Sequence, residues 1–360
     1  MIKKMRPVSH PGEYIKDAID ELGISQSEFA YRTGLSIKNI STLINGESNI
    51  TFEVATKLSA FFGNSVEGWM NLQIKYDLYL NEAKKEEAYQ KDWKIAQLFD
   101  KEFFDVYFEL PISAKHKEET IDELRSLLRV SSLQNLKEPD MFAFCKTSVM
   151  KDLDEKTIIL RNAWISIAEN TARSLSCSSF NKELILNNQK YLRFLTLKSP
   201  REFYYELSKF LSDAGIKLVI LPYLRGSNVS GVTKWISSEN CVLVAVNDCG
   251  KDADRIWFTI FHELGHAIKN HKRHMTISYS KNNIEDEEEN AANEFAKNLL
   301  INKSDYLAFI SRGKFDKASI QKFAKEQGVA DFIVLGRLQK EKYVPWDKYQ
   351  DMKRKYEVLY

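Results

Sequence analysis

The amino-acid sequence predicts a mainly α protein with one small β-sheet, in the α+β class. Apolar residues recur at helical spacing between recognisable helix caps over most of the 360 residues. β-branched and apolar runs bounded by Pro, Gly and Asn cluster between residues 217 and 246, where they predict strands. Immediately after them, an apolar helical run contains the motif H-E-x-x-H.

Composition and charge exclude several classes of protein. The chain has 44% hydrophobic and 28% charged residues and a net charge of +2, which is ordinary for a globular protein of two or three domains. No apolar run approaches the ~20 residues that a membrane-spanning helix needs, and the basic N-terminus lacks the apolar core of a signal peptide. The four cysteines show no C-x-x-C spacing, so reduced thiols and a cytoplasmic location are expected.

The first 80 residues predict five helices. Pro11 and Gly12 open the first helix, and Gly23 ends it. The next four begin after capping hydroxyls, at Ser25, Ser36, Thr51 and Ser65. The second and third helices flank a tight turn at Gly34 and would share an apolar face, which is typical of a helix-turn-helix. That face comprises Ala30, Leu35, Ile40, Leu43 and Ile44.

Residues 26–46 resemble XRE-type repressors, and the flanking residues 10–13 and 69–73 are similar to the HigA antitoxin branch. The resemblance implies that the second of the paired helices enters the major groove of DNA. The candidate base and phosphate contacts are its outward residues and one residue at the preceding helix N-terminus. They are Ser36, Lys38, Asn39, Ser41, Thr42 and Gln26.

The charge of this segment does not by itself favour DNA binding. Residues 1–80 hold eight Lys or Arg against nine Asp or Glu, whereas DNA-binding domains are usually strongly basic. Binding would then depend on a homodimer that doubles the contacts, or on charges that segregate to opposite faces. The alternative is a small helical bundle that contacts a protein partner.

Residues 81–198 are expected to form a helical middle region in which no motif indicates a chemistry. A polar helix over residues 72–98 would link it to the first domain, and further helices are expected over residues 120–130 and 157–175. Ser199 and Glu202 form a capping box that opens another helix, to residue 213.

Three strands are expected next, over residues 217–221, 229–236 and 241–246. A sheet edge beside a binding site can hold an extended peptide as an additional strand. Residues 225–228 and 231–235 are candidate rim elements of such a site. The plainer alternatives are a loop and a hairpin.

The H-E-x-x-H motif consists of His262, Glu263 and His266. Residues i and i+4 lie on one face of a helix, so both imidazoles can reach one metal ion. Glu263 is rotated by about 100° and lies beside the ion, where its carboxylate can take a proton from water, as in zinc peptidases. The alternative is a chance match on a surface helix. The apolar flanks disfavour it, because burying three polar side chains is costly unless something satisfies them.

A metal site needs a third protein ligand, and a catalytic site keeps a fourth position open. Residues 285–289 are acidic and precede a helix on which Glu289 shares a face with Ala292 and Asn293. Glu289 is therefore the predicted third ligand, with Glu288 as the alternative. Asn293 could orient a ligating imidazole. The remaining acidic residues are expected at a solvated helix N-terminus.

These motifs resemble the ImmA/IrrE family of metallo-endopeptidases, in which H-E-x-x-H is followed on the next helix by E-x-x-A-(N/D)-x-F-A. The similarity spans roughly residues 200–345 and includes residues 336–339, while Ala291 stands where the family often has Glu. The resemblance implies a zincin-like metallopeptidase domain that binds Zn²⁺ through His262, His266 and Glu289, with Glu263 as catalytic base.

Two further segments follow the motif. His271, His274 and Tyr279 are candidates for polarising the scissile carbonyl, although a solvated basic turn is the expected role of this segment. Residues 319–339 look like a second, degenerate helix-turn-helix. In the family this piece packs against the peptidase core, so a structural role is expected rather than DNA binding.

The sequence thus predicts a helix-turn-helix DNA-binding domain over residues 1–80, the helical middle region over 81–198, a zinc peptidase domain over 199–345 and a tail over 346–360. The expected function is a DNA-binding transcriptional regulator with a zinc-dependent endopeptidase that cleaves a repressor or antitoxin-type protein, or this chain itself. Its expected partners are operator DNA, bound through residues 25–46, and that protein substrate. The alternative is an antitoxin-like DNA-binding repressor whose metal site is structural or inactive.

Overall fold

The computed structural model describes residues 8–139, 141–142, 153–269, 275–279 and 287–356. They divide into two compact units at the boundary between Lys91 and Asp92. Helices dominate both units, and a single four-stranded sheet lies in the second, so the predicted α+β class is confirmed. None of the described helices is long and apolar enough to cross a membrane.

The first unit is built from short capped helices. These are α1 Pro11–Glu21, α2 Gln26–Thr33, α3 Ile37–Ile44 and α4 Phe52–Phe62, followed by the long helix α5 Val66–Ala96, which contains the boundary between the units. Ser25, Ser36 and Thr51 each accept a hydrogen bond from a backbone N–H three residues on, at 3.1, 3.1 and 3.3 Å. The predicted helix starts are therefore correct, because each cap satisfies an otherwise unpaired amide.

The helix-turn-helix consists of α2 and α3. Gly34 ends α2 with a φ of 64°, a left-handed conformation that glycine adopts without a steric cost, and the chain then turns into α3. All five apolar residues predicted to pack across this turn are buried. The predicted helix-turn-helix is confirmed.

Gly12 brings α1 into close contact with α3. A Cβ atom at residue 12 would lie 1.7 Å from the backbone oxygen of Leu43, which cannot move aside as a side chain can. We expect Gly12→Ala to destabilise the first unit by about 1–3 kcal/mol. Hydrogen exchange of the α1 and α3 amides in the full chain measures this effect.

The matched control for this substitution is Gly68→Ala in α5. There a Cβ atom meets only the Ser65 hydroxyl, at 3.3 Å, and alanine favours a helix more than glycine does. Equal exchange rates in Gly12→Ala and the wild-type chain would contradict the close packing of α1 on α3.

The second unit begins with a series of helices, α6 to α11. They are α6 Lys101–Phe108, α7 Lys117–Leu128, α8 Glu155–Arg173, α9 Lys182–Asn187, α10 Gln189–Leu195 and α11 Pro200–Asp213. The predicted helices over residues 120–130, 157–175 and 199–213 correspond to α7, α8 and α11. At the start of α11 the capping box is formed, and the Ser199 backbone N–H donates to Glu202 at 3.2 Å.

The sheet has the strand order β1-β3-β2-β4. Its strands are β1 Ile216–Leu221, β2 Val229–Ile236, β3 Cys241–Asn247 and β4 Thr276–Tyr279. β3 pairs in parallel with β1 and antiparallel with β2, and β4 pairs antiparallel with the other side of β2. The three predicted strands are confirmed. The expected solvated turn is wrong for Tyr279, because its backbone pairs with Val229 of β2.

Five helices complete the second unit: α12 Ala253–Lys269, α13 Glu287–Leu300, α14 Lys303–Ser311, α15 Lys317–Gln327 and α16 Asp331–Lys340. The apolar residues of α12 share one core with β1, β3, α15 and α16. This burial confirms the expected structural role of the degenerate helix-turn-helix. Gly265 lets α13 approach α12, since a Cβ atom there would lie 3.0 Å from the Ala292 Cα atom.

Candidate metal centre

Three predicted metal ligands converge at the contact between α12 and α13. The Nε2 atoms of His262 and His266 lie 3.0 Å apart on successive turns of α12. The two carboxylate oxygens of Glu289, in the first turn of α13, lie 3.2 Å from these two nitrogens, one oxygen to each. Glu288, the alternative third ligand, is exposed to solvent. The structure thus brings His262, His266 and Glu289 together.

Asn293 orients the first imidazole. Its Oδ1 atom lies 3.0 Å from Nδ1 of His262, so an Nδ1–H donates to the amide oxygen and the Nε2 lone pair points at the other donors. His262 and His266 are only 6% and 2% exposed, so water cannot separate them freely. A cation shared by two imidazole nitrogens and a carboxylate would remove the repulsion between facing lone pairs. This donor set fits Zn²⁺.

The electrostatics of the cluster favour an anionic Glu289. Burial raises the pKa of the Glu289 carboxyl, but hydrogen bonds from His262 and His266, when the Nε2 atom of each is protonated, outweigh burial and hold this pKa at about 2. For His262, burial lowers the pKa, while Glu289, the charge of Glu263 and Asn293 raise it, and the net change is upward. The site therefore holds a carboxylate and attracts positive charge at neutral pH.

Glu263 is fully buried beside the cluster, and residues of β2 contact its carboxylate. The Thr233 hydroxyl donates to its Oε2 atom at 2.7 Å. Its Oε1 atom has no hydrogen-bond partner among the described residues. Gly231 makes room for this oxygen, since a Cβ atom at residue 231 would lie 2.4 Å from Oε1. A buried oxygen without a partner is costly, so the free Oε1 marks a place for a proton donor such as water.

The sequence did not predict these two contacts to Glu263. Residues 231–235 were expected only as a rim element or a hairpin, and they belong to β2, which forms a hairpin with β3. Residues 225–228, the other rim candidate, form part of the loop between β1 and β2. The available signal was glycine inside a strand, which often marks a close approach of another group to the backbone.

Three other candidates cannot be placed at the centre. His271 and His274 lie outside the described residues, and so does the side chain of Tyr279, the last residue of β4.

The predicted DNA-contacting residues lie on the α2–α3 surface of the first unit. Gln26, Ser36, Lys38 and Asn39 are exposed, and Ser41 and Thr42 are partly exposed. Two of the hydroxyls already have partners within the unit. Ser36 caps α3, and the Thr42 hydroxyl donates to the Asn39 carbonyl oxygen at 3.1 Å.

Two family models match separate parts of the chain. Residues 212–338 match the IrrE N-terminal-like domain of peptidase family M78, and residues 15–69 match a helix-turn-helix family. The first match contains the candidate metal centre, and the second contains α2 and α3.

Relatives with curated names each match about a fifth of the chain. The uncharacterised HTH-type transcriptional regulator YddM of Escherichia coli K12 is 37% identical over 75 residues, which are 21% of this chain and 80% of that protein. Antitoxin HigA-1 of Vibrio cholerae is 40% identical over 77 residues, 21% of this chain and 71% of the antitoxin.

A solved structure of an addiction module antidote protein of the HigA family from Coxiella burnetii is 31% identical. The match covers 24% of this chain and 96% of the antidote protein's chain, with a TM-score of 0.23. By its two family matches and its curated relatives, the chain belongs to the helix-turn-helix regulators of the HigA antitoxin type, and it joins their domain to an IrrE-like domain of peptidase family M78.

Proposed function

We propose that this protein is an operator-binding regulator that also cleaves a repressor or antitoxin-type protein, or its own chain, with a Zn²⁺-dependent endopeptidase site. The observation that carries the proposal is the convergence of His262, His266 and Glu289 beside the buried carboxylate of Glu263. A purely structural site would not need a buried carboxylate with one oxygen that has no partner in the described part of the chain.

Different side chains of the centre would have different roles in peptide hydrolysis. His262, His266 and Glu289 would hold the ion. When bound, Zn²⁺ supplies a Lewis acid that polarises the scissile carbonyl and makes water more acidic. Glu263 acts as general base: Thr233 fixes its Oε2 atom, and Oε1 accepts the proton of the attacking water and passes it to the leaving amine.

The substrate would bind along β4. Among the described strands, β1 and β4 form the two sheet edges, and β4 pairs with β2, which carries Gly231 and Thr233. An extended peptide added to β4 would gain backbone hydrogen bonds close to Glu263, whereas β1 is separated from β2 by β3. The proposed peptidase domain over residues 199–345 includes all of these elements.

The peptidase part is tested by mass spectrometry of cleavage products in cells that express the wild-type chain or Glu263→Gln. We expect one protein, a repressor, an antitoxin or this chain, to be cut at a single site by the wild type only. Identical peptide profiles in the two strains, with intact DNA binding, would overturn the peptidase proposal and favour a DNA-binding repressor with a structural metal site.

In the DNA-binding part of the proposal, the protein is a cytoplasmic homodimer, and α3 enters the major groove of an operator. We expect Asn39→Ala to lose about 1–3 kcal/mol of binding free energy at one base position. Lys38→Ala should weaken binding to all DNA sequences, because it removes a phosphate contact. The slope of the logarithm of the binding constant against the logarithm of the salt concentration should fall in magnitude by about 1. Fluorescence anisotropy with DNA from the region upstream of the gene measures both effects.

The matched control for Lys38→Ala is Lys16→Ala, which removes the same charge from the exposed face of α1. If Lys38→Ala and Asn39→Ala bind DNA as the wild type does, the surface of α3 does not contact DNA. A protein partner would then be the better assignment for the first unit.

A further inference from the structure

Two cysteine side chains lie side by side at the start of β3. Cys241 is the first residue of β3, and Cys177 lies in the segment that joins α8 to α9. Their Sγ atoms are within 4.8 Å of each other, and both residues are free thiols. The proposed function uses neither of them.

Backbone hydrogen bonds hold the Cys177 segment against α11 and the turn that precedes β3. The Ser178 N–H donates to the Ser212 carbonyl oxygen at 2.9 Å, and the Phe180 N–H donates to the carbonyl oxygen of Asn240 at 2.8 Å. Asn240 is the residue before Cys241, so this second bond fixes the two cysteine segments directly to each other. The Sγ atoms, within 4.8 Å of each other, are thus held near the separation of about 2.05 Å that an S–S bond requires.

The two cysteines differ in their accessibility to solvent. Cys177 is partly exposed, whereas Cys241 is completely buried. Burial raises the pKa of the Cys241 thiol to about 12, and its contact with Cys177 acts in the same direction. An oxidant from solution would therefore react first at Cys177, and Cys241 is positioned to react with the product.

A neighbouring ion pair argues against a metal ion at this place. Glu239 is the third potential ligand of the group, but its Oε2 atom lies 2.6 Å from the ammonium of Lys217. Lys217 is only 3% exposed, so solvent screens its charge poorly. A divalent ion bound to these three groups would be repelled by that ammonium, whereas a disulfide adds no charge.

We propose that Cys177 and Cys241 form a reversible disulfide when the protein meets a hydroperoxide. The Cys177 thiolate attacks the peroxide O–O bond, which breaks to give a sulfenic acid and, for hydrogen peroxide, water. The Cys241 sulfur then attacks the sulfenic sulfur, the S–S bond forms and a second water leaves. Two thiols are oxidised as one peroxide is reduced.

The disulfide would form far from the candidate metal centre. Cys241 pairs with Ile236 at one end of the β2–β3 ladder, and Gly231, which contacts Glu263, pairs with Val246 near the other end. Cys241 and Val246 are five residue steps apart along β3, which corresponds to about 17 Å. Oxidation would tether the α8–α9 segment to the sheet and leave the predicted metal ligands in place, so this inference does not depend on peptidase activity.

The test is a titration of the reduced full-length chain with hydrogen peroxide, followed by alkylation, digestion and mass spectrometry. We expect a disulfide-linked peptide pair that contains Cys177 and Cys241. Dithiothreitol should reduce this link, and the pair should be absent from Cys177→Ser. Cys249→Ser, which removes another partly buried thiol, is the matched control and should form the link as the wild type does. The link should also raise the thermal unfolding midpoint by several degrees.

Three results would overturn the proposal. The first is Cys177 oxidised to sulfinic acid while Cys241 remains alkylatable. The second is a link that involves Cys145 or Cys249 instead. The third is a lower zinc content in Cys177→Ser than in Cys249→Ser, because it would mean that the pair binds metal. Since Cys177 is partly exposed, its replacement by serine should leave the fold intact.

Discussion

Glu289→Gln is expected to lose more than about 100-fold in affinity for Zn²⁺. Substitutions of groups that merely orient metal ligands cost 10–100-fold, and Glu289 is itself a proposed ligand, with oxygens 3.2 Å from both imidazoles. The substitution keeps the shape of the side chain and removes its negative charge. Competition with a chromophoric chelator, followed by elemental analysis of the purified chain, measures the loss.

Glu288→Gln provides the matched control for this measurement. It makes the same chemical change one residue earlier in α13, at a side chain exposed to solvent. We expect it to bind Zn²⁺ as tightly as the wild type does. If Glu288→Gln lost the metal and Glu289→Gln retained it, the assignment of the third ligand would be wrong.

Gly231→Ala is expected to slow cleavage by about 100-fold while zinc remains bound. The new Cβ atom would lie 2.4 Å from Oε1 of Glu263, so the carboxylate must move, and a displacement of about 1 Å can cost that much. The metal ligands on α12 and α13 are not displaced directly. Single-turnover cleavage of the substrate found in cells, with zinc content determined in parallel, measures both effects.

Two controls separate this effect from general damage to β2. Ser230→Ala changes the preceding residue, which is partly exposed, and should cleave normally. In a chain that already carries Glu263→Gln, Gly231→Ala should have little further effect, because both substitutions disable the same base. If the two substitutions instead reduced the cleavage rate independently, so that their fold-losses multiplied, Gly231 would act on a group other than Glu263.

Much of the centre could be predicted from sequence because its determinants are local. His262 and His266 are one helical turn apart, which fixes their common face whatever surrounds the helix. Glu289 could be distinguished from Glu288 by the face that it shares with Ala292. The helix starts of the first unit were equally local, since each depends on one hydroxyl and an amide three residues later.

What sequence could not predict depends on contacts between distant segments. Thr233 and Glu263 are 30 residues apart, and they meet only because β2 packs on α12. β4 is four residues long, too short for its alternation to identify a strand without its partner β2. Cys177 and Cys241 show no metal or disulfide spacing, and a bend of the α8–α9 segment against the sheet brings them together.

One consequence follows from where the centre lies along the chain. Every group placed at it, from Gly231 on β2 to Asn293 on α13, comes from one continuous stretch of the second unit. A hydrolytic apparatus encoded in a single uninterrupted segment can be inherited as a cassette. Such a cassette can be joined to different recognition domains without being rebuilt, which would be a physical basis for the proposed coupling of an operator-binding domain to a peptidase domain in one chain.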